Sequence, residues 1–155
     1  MIRGISFEIP NKYGSYLAGI LKPVDVAAYN WYVGGEEAYF IEDGELGRPL
    51  FPDEVIGMEG ETLKQTIEKN EYYVIFANLK AFPRNKEIID IQTFEDFIIS
   101  ECSLVILVVD CVYVTVYSKD PETIQRLYNN SLTMGFSEVN FITDENDFRT
   151  RLSVW

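Results

Sequence analysis

Polar and apolar positions alternate from Ile2 to Ile9, which puts Ile5, Phe7 and Ile9 on one face of a first strand that Pro10 ends. Tyr13, Tyr16, Leu17, Ile20 and Leu21 then recur at helical spacing up to Pro23. Gly14 and Gly19 inside that helix each cost about 1 kcal/mol relative to alanine, so it needs tertiary support. Tyr29–Val33 and Glu36–Ile41 flank Gly34-Gly35, which predicts a two-residue hairpin because glycine accepts the positive φ such turns demand. Residues 43–60 are punctuated by Gly44, Gly47, Pro49, Pro52, Gly57 and Gly60 and predict a long irregular connection. Leu46, Leu50, Phe51, Val55, Ile56 and Met58 should pin that connection to the fold.

The second half is more regular. Glu61–Lys69 predicts a helix and Tyr72–Leu79 a strand, and Thr93-Phe-Glu-Asp96 starts a short helix with a pattern close to a capping box. Leu104–Val109 and Val112–Ser118 read as strands, the latter with Val112, Val114 and Val116 on one face and Tyr113, Thr115 and Tyr117 on the other. Asp120-Pro121 opens a helix with an oxygen acceptor followed by proline at the first helical position. Its inner stripe is Ile124, Leu127, Tyr128 and Leu132, and Gly135 caps its end. Val139–Ile142 adds a strand, and Asp144 is placed to cap a last short helix before the tail 149–155.

From Tyr72 to Ile142 the order is β-α-β-β-α-β, that of a ferredoxin-like unit, provided the chain reverses at Asp110-Cys111; a single bent strand through 103–118 is the alternative. The expected fold class is α+β: a mainly antiparallel sheet with helices on one face. One domain spans 1–155, with an N-terminal portion 1–60 holding the acidic connection 43–60 and a C-terminal α+β portion 61–155.

With 155 residues, 47% of them hydrophobic, the chain is long and apolar enough to bury a core. No stretch approaches the roughly 18 to 20 apolar residues that span a bilayer, and Glu8 interrupts any secretory signal, so a cytoplasmic protein is expected. Cys102 and Cys111 lie about 30 Å apart in one extended strand, or at opposite ends of a hairpin arm, too far for a disulfide either way. Buried, reduced thiols are the expectation.

Charge changes the picture most. Residues 36–61 hold nine carboxylates (Glu36, Glu37, Glu42, Asp43, Glu45, Asp53, Glu54, Glu59 and Glu61) against Arg48, a net −8 of the chain's −12. Such a surplus repels nucleic acid and anionic membranes and attracts a basic partner or a metal ion. The chain has no histidine, which removes Ser-His-Asp and Cys-His chemistry and imidazole metal sites. It also has neither a Walker A motif nor a GxGxxG turn, and two cysteines alone build no zinc site. Glu42-Asp43-Gly44-Glu45 and Asp144-Glu145-Asn146-Asp147 offer oxygen ligands, but neither matches an EF-hand loop, and they read first as an acidic turn and a helix N-terminus. No metal or cofactor is expected.

Asp110 stands out as a carboxylate between Leu-Val-Ile-Leu-Val-Val and Cys-Val-Tyr-Val. It is either a turn residue bonding nearby backbone N–H groups or the rim of a pocket. Trp31 reads as core first and as a ligand platform second. Arg149, Arg151 and Trp155 form either an ion-paired tail beside Asp147 or a docking tail, since Arg and Trp are enriched at interfaces.

Three stretches, Arg3-Gly-Ile-Ser-Phe-Glu-Ile-Pro10, Val108-Val-Asp-Cys-Val-Tyr-Val-Thr-Val-Tyr117 and Thr143-Asp-Glu-Asn-Asp-Phe-Arg-Thr-Arg-Leu-Ser-Val-Trp155, resemble an uncharacterised family of Bacillus and related bacteria. The resemblance implies a bacterial cytosolic single-domain protein and carries no activity. The expected function is that of a non-catalytic interaction protein, inhibitor- or immunity-like, whose segment 36–61 meets a basic protein. Its rival is a small-molecule or metal-binding domain, a weak hydrolase included, built on Asp110 and nearby tyrosines. A homodimer whose acidic segment is only a solubilising face is the third reading.

Overall fold

β-branched and aromatic runs become strands and amphipathic runs become helices in a computed structural model, which describes residues 1–52 and 57–154, the side chains of Gly35 and Glu36 excepted. The chain begins with β1 (Ile2–Glu8), α1 (Tyr16–Ile20), a 3-10 turn (Val26–Ala28), β2 (Tyr29–Glu42), β3 (Glu45–Pro49) and β4 (Gly57–Glu59). It continues with α2 (Gly60–Glu68), β5 (Tyr72–Pro83), α3 (Phe94–Ile99), β6 (Leu104–Val109), β7 (Tyr113–Ser118), α4 (Pro121–Thr133) and β8 (Ser137–Thr143). All strands join one antiparallel sheet in the order β3-β2-β5-β6-β7-β1-β8, with β4 also paired to β2. The fold class is α+β. Among the described residues no helix is long and apolar enough to cross a membrane.

The sheet is covered on both faces. Leu17 and Ile20 of α1, Leu63 and Ile67 of α2, and Ile124 and Leu127 of α4 pack on one face against Ile5, Trp31, Leu79, Ile106 and Val116. Phe94 and Phe97 of α3, with Ile91, Leu152 and Val154, cover Phe82, Val105, Leu107 and Tyr117 on the other. Three helices thus share one face as expected, while α3 and the C-terminal segment take the opposite one. The reason is visible in β6, an unbroken apolar run whose alternate side chains enter both clusters, so neither face can be left in water.

The element order β-α-β-β-α-β is present, but its pairing is not ferredoxin-like. β6 starts at Leu104 opposite Ala81, near the end of β5, so the connection through α3 returns the chain antiparallel beside β5 instead of crossing over. The chain then reverses tightly at Asp110 and Cys111, whose φ values of 52° and 67° make a turn of the primed kind without glycine. β1 inserts between β7 and β8.

The N-terminal portion corrects two expectations. Gly34-Gly35 is no hairpin; β2 runs through it with a register shift against β5 between Gly34 and Glu37. Inward-facing positions change parity there on both strands, from Trp31 and Val33 to Ala38 on β2 and from Ala77 to Val74 on β5, and an opposite shift between Glu37 and Ala38 restores the register. The hairpin lies instead at Asp43-Gly44, with φ of 54° and 78°, and the supposed irregular connection 43–60 contains β3 and β4. Further on, Leu132 is 53% exposed while Ser131 takes the inward position on α4. No helix follows Asp144; a turn stands there.

Candidate functional site

The hairpin joining β2 and β3 gathers part of the acidic segment. Glu42, Asp43 and Glu45 are exposed, and Glu42 stands directly opposite Glu45 across the two strands. Like charges in that register destabilise a strand pair. Arg48 offsets them in part. Its Nη1 lies 3.3 Å from Glu42 Oε1, its backbone N–H donates to Glu42 Oε2, and its guanidinium sits 4.5 Å above the Phe40 ring. β3 is the sheet's outermost strand, five residues long, ending in Pro49 and irregular in register near Tyr39. Those features discourage pairing with a further strand, so recognition at this edge falls to the side chains.

The remaining carboxylates do not all converge. Glu37 is half-buried, and Glu59 and Glu61 are exposed where β4 meets α2. Glu59 pairs opposite Asn30, roughly 40 Å along β2 from Glu42 at about 3.3 Å per residue. The Glu36 side chain, Asp53, Glu54 and Trp155 lie outside the described residues. Among the described residues the acidic segment therefore presents two patches rather than one. The denser patch is the hairpin.

Trp31 is fully buried and its Nε1–H donates to Val26 O at 3.0 Å, so it is a core residue and no ligand platform. Asp110 is exposed at the β6–β7 turn. A cleft of about 410 Å³, lined by Tyr29, Ser103, Ser118, Lys119, Thr123 and Arg126, opens at the other end of these strands, roughly 20 Å away along β6. Beside Asp110, the half-buried Cys111 Sγ lies 3.0 Å from Tyr73 Oη, which also bonds Asn11. The Cys111 contact, with burial behind it, pushes the Tyr73 phenol up to about 12.

The tail pairs differently from expectation. Arg3, not Arg149 or Arg151, neutralises the acidic turn, with Nε 2.8 Å from Asp144 Oδ1 and Nη1 3.1 Å from Asp147 Oδ2. Its guanidinium also lies 4.0 Å over the Phe94 ring, and the hydrogen bond to Asp144 leads the causes that raise its pKa. Tyr117 Oη donates to the same Asp147 carboxylate. Arg149 Nη1 donates to Ser153 O, and Arg151 is exposed. Among the described residues no three Cys, Asp or Glu side chains gather as metal ligands.

Lys80 is the site residue that the sequence pattern does not flag. It sits on β5 with a fully buried side chain, facing the α3 side of the sheet. Its ammonium donates to Asp90 Oδ1 at 2.6 Å, Ile91 O at 3.0 Å and Leu152 O at 2.8 Å, and lies 5.4 Å from the Tyr32 ring centre. Burial lowers its pKa, with the hydrogen bond to Asp90 working against the shift. The only signal in the chain is a lysine inside the run Leu79-Lys80-Ala81-Phe82, with Asp90 ten residues on.

A family model described as a protein of unknown function (DUF2691) matches residues 2–153. The chain is similar to the uncharacterised protein YncE of Bacillus subtilis (strain 168), 48% identical over 155 residues that cover 99% of this chain and 100% of that protein. No solved structure matches it.

Proposed function

The chain belongs to that family of unknown function (DUF2691), and from its own geometry we propose a non-catalytic interaction protein whose acidic β2–β3 hairpin receives a basic protein, in the manner of an inhibitor. One observation carries the reading: Glu42 and Glu45 are held face to face at the β3 edge of the sheet, with Asp43 between them and, among the described residues, Arg48 opposing. Such a register costs stability in the free protein, and a cationic partner would relieve it. Clustered exposed charge also speeds encounter with an oppositely charged surface and loses that advantage in salt. Two free thiols, one of them buried, fit a reducing cytoplasm.

Capture from cell lysate at low and high salt tests it. The wild type should retain a basic protein at low salt and release it at high salt. The variant Glu42→Gln/Asp43→Asn/Glu45→Gln, which keeps a turn residue tolerant of positive φ at position 43, should retain much less. Equal retention by both proteins, or no salt-sensitive partner, would refute the reading.

A further inference from the structure

The face of the sheet opposite α1, α2 and α4 is closed by α3 and by two stretches without helix or strand, 84–93 and 147–154, and both stretches meet on one side chain. Lys80 Nζ binds Asp90 Oδ1 and Ile91 O of the first stretch and Leu152 O of the second. Leu152 N–H in turn donates to Gln92 O at 2.9 Å, so the stretches also hold each other. We propose that 84–93 and 147–154 form a strap that opens as one unit ahead of global unfolding, with Lys80 as its latch.

The closed strap keeps an ammonium dry. Two residues along the same face of β5, the Asn78 side-chain oxygen Oδ1 is buried with no hydrogen-bond partner among the described residues. Opening that face to water hydrates both groups, which favours local release over loss of the whole sheet. The ionisable groups facing Lys80 are Asp90 from the first stretch, Cys102 ahead of β6 and Tyr32 from β2; the C-terminal stretch meets it with a carbonyl. Burial pushes the Cys102 thiol up to about 11, so it stays neutral near physiological pH.

The sign of the pH dependence follows. Burial depresses the Lys80 pKa in the closed state, and opening restores it towards 10.5. In that window the open state binds more protons, so raising the pH favours closure.

Hydrogen exchange of the intact chain, read at amide resolution and corrected for intrinsic rates, tests the proposal. The amides of 84–93 and 147–154 should share one opening equilibrium, distinct from that of β6 and β7. Opening should become rarer between pH 7 and 9.5. That part of the pH dependence should be absent from Lys80→Met, which subtracts any effect of the N-terminal amine beside Asp144. Asp90→Asn should raise the opening constant about tenfold at pH 7. Independent exchange of the two stretches, exchange only through global unfolding, or an Asp90→Asn variant that opens no more than wild type would each overturn it.

Discussion

Lys80 shows how one residue can matter more than its place in the sequence pattern suggests. Its three ammonium protons are all used, and the acceptors are two backbone carbonyls and one carboxylate on segments far apart in the chain. Truncation takes the ammonium from both carbonyls and from Asp90 Oδ1, while Gln92 Nε2 still donates to Asp90 Oδ2. Lys80→Ala should therefore cost about 2 kcal/mol in urea unfolding, in the range for losing hydrogen bonds to a charged group. A loss below about 1 kcal/mol would mean that water replaces the ammonium easily. The residue was not legible because strand patterns treat lysine as a solvent-facing position, and only the coverage of both sheet faces reverses that. Trp31 was legible as core, since it sits in an apolar strand; its indole partner, Val26 O, was not, because a 3-10 turn supplies it.

At the level of elements, capping chemistry was read correctly at Thr93 and Asp120, but not at Asp144, where a turn replaces the expected helix. Thr93 accepts from Asp96 N–H, and the Asp96 carboxylate accepts from Thr93 N–H. Asp120 likewise accepts from the backbone N–H groups of Glu122 and Thr123. Hairpins were harder, because two glycines at 34–35 compete with Asp43-Gly44 for the turn. Register decided it: β5 is long enough to pair with β2 on both sides of the glycines, so the chain passes straight through, and two opposed register shifts around Glu37 cancel. Strand partners were beyond reach, since nothing in β1 announces β7 and β8 as neighbours. That placement makes Gly4 critical. A Cβ there would collide with the backbone carbonyl of Val116 on β7, an atom that cannot rotate away. Gly4→Ala should thus destabilise by about 3 kcal/mol or lower the yield of folded protein, measured by thermal unfolding. An unchanged melting temperature would show that β1 can shift relative to β7.

For the molecule as a whole, charge and pH tie the termini to the sheet. The Asp144 carboxyl is held below its ordinary 3.8, chiefly by the Arg3 hydrogen bond, and Asp120 is lowered chiefly by its bond from Thr123. Groups depressed in the fold stabilise it above their unfolded pKa, and that contribution is lost as the pH falls through the folded values. The phenols of Tyr72 and Tyr117 are raised by burial, so their contribution is present below about 10 and lost as the pH climbs above it. Melting temperature against pH should hence show a plateau with one fall below about pH 4 and another above about pH 10. A steady rise with acidity would instead mean that relief of the −12 net charge dominates.

The acidic surplus was legible as a count, and its described carboxylates fall mainly at a hairpin and at a second patch at the far end of β2. The hairpin is where the interaction reading stands or falls. The most direct test is the salt dependence of binding between the purified basic partner and two proteins, the wild type and Glu42→Gln/Asp43→Asn/Glu45→Gln. Affinity of the wild type should fall steeply as salt rises, and the variant should bind more weakly at low salt with a flatter slope. Parallel slopes with equal affinities would contradict the account, because the three carboxylates would then take no part in recognition.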